Sequence, residues 1–239
     1  VGLYRDEGIV LRTHKLGEAD RIVSILTRQH GKVRAVAKGV RKTKSRFGAR
    51  LEPPTHLQLQ FYEGRGDLQI VDQAETIDHF RAIREDLDRL TRAVSMLEAA
   101  DQLGLEGEPN PSLYSMLLGA LRALADHCGP LVLPSFFLKV LALEGFRAVV
   151  DQCVECGQTE ALVAFDLDSG GTRCEAHRSG IAVSPEAREL LVDILGGRLG
   201  QALNTPPSSA TIEVEHLATR SMEHHLERRL RSVAILDRG

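Results

Sequence analysis

Residues 56–73, "HLQLQFYEGRGDLQIVDQ", decide how the first third of the chain is read. Within His56–Tyr62, Leu57, Leu59 and Phe61 fall on one side, while His56, Gln58, Gln60 and Tyr62 fall on the other. That period of two marks a strand with one buried face. The next five residues, "EGRGD" (Glu63–Asp67), are a hairpin signal, and "LQIVDQ" is the returning strand. Upstream, "GIVLRT", "DRIVSIL" and "GKVRAVAKG" are short runs rich in β-branched residues, separated by Gly or polar turns. About five antiparallel strands in so short a stretch cover their edges best by closing into a small barrel.

Near Thr76 the period changes. Ile77, Phe80, Ile83, Leu87, Leu90, Val94 and Leu97 recur at steps of three and four, which predicts one long amphipathic helix. "SLYSMLLGALRALADH" and "LPSFFLKVLALEGF" predict two more, the latter with Pro134 in its first turn and a stop around Gly145. Ser184-Pro185 opens another that ends at Gly196-Gly197. A last helix is predicted from about Thr211 through Leu217, Met222, Leu226, Leu230 and Val233.

The composition, 43% hydrophobic and 26% charged over 239 residues, is that of a globular chain with room for a real core. No apolar run approaches a membrane span, and charges interrupt "VGLYRDEGIVLR", so a cytoplasmic location is expected. The net charge of −3 hides an asymmetry. Residues 1–80 carry 14 Lys/Arg and 10 Asp/Glu, and the remainder carries 16 and 23. Arg28–Arg50 alone holds nine cations and no acid.

Between the predicted helices lies C-x2-C-x17-C-x2-H: Cys153, Cys156, Cys174 and His177. Each two-residue gap lets one tight turn offer two ligands to a tetrahedral ion, and three thiolates with an imidazole favour zinc. Gly157 suits the positive φ on leaving the first turn. "ALVAFDLDSGGTRC" reads as strand, Gly-Gly turn and strand, which returns the second pair to the first. Four protein ligands leave no open position, so one structural zinc per chain is expected. Cys128 falls outside the pattern and reads as a small buried residue within a helix.

Motifs for catalysis are missing. "GVRKTKS" lacks the second glycine of a phosphate-binding loop, no G-x-G-x-x-G follows a strand, H-E-x-x-H is absent, and the deaminase pairing of H-x-E with a following P-C-x-x-C is absent, since Gln152 precedes Cys153. The basic stretch therefore reads as a surface for holding a polyanion. Lys32, Arg34 and Lys38 share one face of the strand "GKVRAVAKG", and the following loop adds Arg41, Lys42, Lys44, Arg46 and Arg50. A cationic groove on a small barrel can track a nucleic-acid strand. Phe47 among these cations either stacks on a base or pins the loop to the barrel. With about six phosphate contacts, log affinity should fall against log salt with a slope near −4.

"GEAD-IV" followed by a "HGK" turn, "AKGVRKTKSRFGARLEP", "YEGRGDL", "LPSFFLKVLALEGF", the C-x2-C insert with "GG" before Cys174, and "HHLERRLRS" together resemble the bacterial RecO family of recombination and repair proteins. The resemblance spans nearly the whole chain. It implies an α+β multidomain protein: an OB-fold barrel (1–77), a helical domain (78–150 and 181–239) and a zinc-finger-like insert (151–180). It also implies a non-enzymatic mediator that binds single- and double-stranded DNA and anneals complementary strands. Its implied partners are RecR and single-stranded-DNA-binding protein, with RecA loaded indirectly onto coated gaps. One departure is His177, at a position where many zinc-bearing members are expected to carry Cys. The competing classes are a zinc-dependent enzyme and an RNA-binding scaffold module; annealing of DNA strands without ATP separates them.

Overall fold

A computed structural model describes residues 2–42, 44–63 and 68–230. The hairpin signal at 64–67 and Val233 lie outside the described residues. The chain forms two compact units, one running through Asp126 and the other starting at His127.

In the first unit, five strands close into a barrel: β1 (Leu3–Leu16), β2 (Asp20–Thr27), β3 (Lys32–Ala37), β4 (His56–Tyr62) and β5 (Gln69–Asp78). Around the barrel the order is β1-β2-β3-β5-β4. Strand β1 is longer than its sequence signal and serves both seams. Its first half pairs with β4 and its second with β2, and the register shifts between Val10 and Arg12. A bulge of this kind bends a strand enough to turn a barrel corner. The contact between β3 and β5 is parallel, not antiparallel as the sequence pattern suggested. Alternation in β4 is borne out on the inner side: Leu57, Leu59 and Phe61 join Val10, Val23, Ile25, Val33, Ala35 and Val71 in one apolar core.

The predicted long helix is broken. Ile77 belongs to β5, and the helical residues divide into α1 (Arg81–Arg84) and α2 (Leu87–Leu103). Two carboxylates cause the division. Asp78 Oδ1 accepts from the Phe80 N–H at 2.7 Å, stopping the strand, and Asp86 Oδ1 accepts from the Arg89 N–H at 2.9 Å, capping a new helix. Helix α3 (Pro111–Asp126) follows. A segment between α2 and α3 runs against the β2–β3 turn, where Lys32 N donates to Leu105 O at 3.0 Å. Gly31 turns there with φ +68, and a Cβ on it would stand 2.1 Å from Glu108 O. Only glycine meets both demands.

The outer side of β4 is covered at its start, while Tyr62 at its end is exposed. His56 is buried, and its Nε2 lies 2.7 Å from the Tyr114 hydroxyl. Burial lowers the pKa of His56 below the ordinary 6.5, with Glu7 opposing and Arg122 assisting.

The second unit contains α4 (Val132–Leu143), a small sheet of β6 (Leu162–Asp166), β7 (Gly171–Cys174) and β8 (Ile181–Ala182), then α5 (Pro185–Leu195), α6 (Leu199–Leu203) and α7 (Ser209–His225). Ser184 caps α5 as its sequence implies, its Oγ accepting from the Ala187 N–H at 3.2 Å. The short α6 and β8 carried no periodic signal. Helix α7 stops earlier than predicted, because Glu227 takes φ 51; Leu230 is buried beyond the helix rather than within it. Cys128 is exposed in the non-helical stretch after α3, so it is not the buried helical residue its neighbourhood suggested.

Candidate nucleic-acid interface and metal centre

The cation-rich loop follows β3 and is fastened at several points. Asp20 Oδ1 accepts from the Gly39 N–H at 2.7 Å, and the Arg41 N–H donates to Ala19 O at 3.0 Å. Phe47 is only 2% exposed and sits in the barrel core, with Leu51 beside it in the same cluster. Of the two roles open to Phe47, its burial favours the anchor: the ring packs into the apolar barrel cluster. The Arg46 guanidinium carbon lies 4.8 Å from the ring centroid, so burying the phenyl group still leaves the cation outside. Past the anchor, one Arg84 Nη2 on α1 donates to Glu52 O, Pro54 O and Thr55 Oγ1 at 2.7, 2.9 and 2.7 Å, holding the descending arm.

The predicted cations divide into two groups. Lys38, Arg41, Lys42, Lys44 and Arg50 are exposed and, among the described residues, have no carboxylate partner. Arg46 is also exposed but lies 3.8 Å from Asp72 on β5. Lys32 and Arg34 behave differently. The Lys32 side chain is 13% exposed; its Nζ donates to Asp101 O at 2.6 Å and lies 3.8 Å from Asp101 Oδ1. The buried Asp101 carboxylate also accepts from Ser24 Oγ at 2.9 Å and pairs with Arg12 Nε at 2.7 Å. Arg34 pairs with Glu106 at 3.6 Å. Strand periodicity did place Lys32 and Arg34 outside the core, but α2 and the segment after it lie over that side. Asp101 and Glu106 are far away in sequence, and no local pattern announces them.

The four residues of the C-x2-C and C-x2-H pairs come together. Cys153 and Cys156 lie on a turn closed by a Gly157 N–H bond to Cys153 O at 2.8 Å, and Gly157 takes φ 76. Val154 N donates to Thr172 O at 2.9 Å, which ties this turn to β7. Cys174 ends β7, and His177 closes the 3-10 turn Glu175–His177. The four ligand atoms lie within 4.8 Å of one another. Cys156 Sγ to Cys174 Sγ is 3.8 Å, Cys153 Sγ to His177 Nδ1 is 3.8 Å, and Cys174 Sγ to His177 Nδ1 is 3.4 Å. Two sulfurs each about 2.3 Å from a tetrahedral ion stand about 3.8 Å apart, so these edges fit zinc. Burial pushes the Cys153 thiol up, but the backbone N–H groups of Cys174, Cys156 and Glu155 outweigh it and hold it down at about 6. Thiolate is the ligating form, so these N–H groups favour the state of Cys153 that can bind a cation. The cluster can hold one metal ion with every position filled by protein.

Comparison with known proteins covers almost the whole chain. A family described as recombination protein O N terminal matches residues 2–80, and one described as recombination protein O C terminal matches residues 84–234. The DNA repair protein RecO of Streptomyces coelicolor is 44% identical over 250 residues, spanning 100% of both chains. The DNA repair protein RecO of a Nocardioides species is 45% identical over 246 residues, spanning 99% of this chain and 100% of that one.

Proposed function

The chain belongs to the RecO family of DNA repair proteins, and from that premise we propose that its barrel loop is the DNA contact of a strand-annealing recombination mediator. The family consists of non-enzymatic repair proteins, in keeping with a site built to hold rather than to react. The finer reading is that the protein binds single- and double-stranded DNA and anneals complementary strands. With RecR, it helps load RecA onto gaps covered by single-stranded-DNA-binding protein, in the cytoplasm at the nucleoid. Its functional division is a DNA-binding barrel (1–77), a helical domain (78–150 and 181–239) and an insert (151–180) held by one structural zinc on Cys153, Cys156, Cys174 and His177.

The observation that carries this reading is the loop itself. Lys38, Arg41, Lys42, Lys44 and Arg50 stand exposed on an arm that Phe47 pins to a rigid barrel. Neutralising phosphates lowers the repulsion between two strands and releases counterions, so annealing needs no nucleotide. Lys32 and Arg34 lie on the covered side, paired with Asp101 and Glu106, so the exposed loop carries most of the contact.

Charge reversal at Arg41, Lys42 and Lys44 together should abolish ATP-independent annealing and reduce single-strand affinity more than tenfold. With about five contacts, the log–log salt slope of the native protein should be near −3.5. Unchanged binding in the triple variant, or a native slope shallower than about −1, would sink the assignment.

A further inference from the structure

Among the described cations of Lys38–Arg50, Arg46 alone has a carboxylate within ion-pair distance. That carboxylate is itself fixed. Asp72 Oδ2 accepts from Gln60 Nε2 at 2.9 Å, and Gln60 Oε1 accepts from Arg5 Nε at 2.8 Å. Gln60 is buried on β4, so the chain Arg5–Gln60–Asp72 aims one acid at the loop from the barrel wall. The acid also borders a groove of about 620 Å³ between loop and β5, lined by Arg46, Arg50, Asp72, Glu75, Thr76 and His79.

A free surface carboxylate beside an arginine would contribute little, since both partners wander and are solvated. Here one partner cannot wander. At 3.8 Å the pair is loose enough for a phosphate to displace, yet the acid stays beside any phosphate that does so. We propose that Asp72 is a positioning residue that limits DNA affinity by holding Arg46 back from the phosphate backbone. The inference rests on the reading of the loop as a DNA contact. Its physical sense is that strand annealing requires a hold loose enough for bases to find their partners.

The test uses the full chain and a fluorescent oligothymidine, titrated at several salt concentrations. Asp72→Asn keeps an oxygen that can accept from Gln60 but removes the charge. It should tighten binding about two- to fivefold and steepen the log–log salt slope by about 0.7, one added single-strand phosphate contact. In an Arg46→Gln background the same substitution should lose most of that gain. Arg46→Gln alone, which leaves Asp72 in place, should weaken binding less than Lys42→Gln does.

Unchanged or weaker binding in Asp72→Asn overturns the proposal. So does an equal gain without Arg46, or a loss in Arg46→Gln as large as in Lys42→Gln. The loop reading fails on a different result, namely unchanged binding after charge reversal at Arg41, Lys42 and Lys44.

Discussion

Phe47 and His56 show how one side chain's surroundings decide its role. An aromatic among six cations invites a stacking role, yet Phe47 contributes its ring to the barrel and leaves the charges outside. Phe47→Leu should therefore bind oligonucleotides within about twofold of the native protein while losing about 1 kcal/mol of stability in urea. Loss of a base stack would instead cost about 1–3 kcal/mol of binding, which the same titration would register as weaker affinity. His56 carries a pH dependence. Its pKa lies below 6.5 in the folded state, so between the two values the unfolded chain binds more protons. Stability from this group is fully present above 6.5 and falls as pH drops through the lowered value. His56→Gln should flatten the acid limb of a stability–pH curve; an unaltered limb would remove His56 as its cause.

At the scale of the element, the metal loop is the most self-contained piece. Its turns, its hairpin and the four clustered residues all lie within Cys153–His177. Zinc bound only by the folded form would make its binding energy part of folding. Chelation, or Cys153→Ser, should lower the melting of the second unit by on the order of 10 °C and leave loop-mediated DNA binding within about twofold. A Cys153→Ser protein that retained one zinc and normal melting would refute the ligand set. This centre was legible in sequence because its spacing is local, as were the strand alternation of His56–Tyr62 and the Ser184 cap. The break between α1 and α2 was hidden, since the apolar period continues through Asp86 and only the capping bond reveals the interruption. Also hidden were the partners of Lys32, Arg34 and Arg46. A strand pattern tells which side a cation leaves from, but not which acid from a distant segment meets it there.

At the scale of the whole molecule, charge is sorted rather than balanced. The basic loop belongs to a chain whose net charge is −3, so any pull on a polyanion would have to come from placement and not from the total. The acids that define the loop's limits, Asp101, Glu106 and Asp72, lie on α2, on the segment after it and on β5. This arrangement bears on biosynthesis. The ribosome completes β5 at Asp78, while Asp101 and Glu106 follow it. At about 5–20 residues per second, the strands precede the second of these acids by roughly 1 to 6 s. For that interval Arg12, Lys32 and Arg34 lack the two acids that pair with them in the folded unit, so the emerging strands are more basic than the finished unit. Translation order thus sets when these three cations meet their acids.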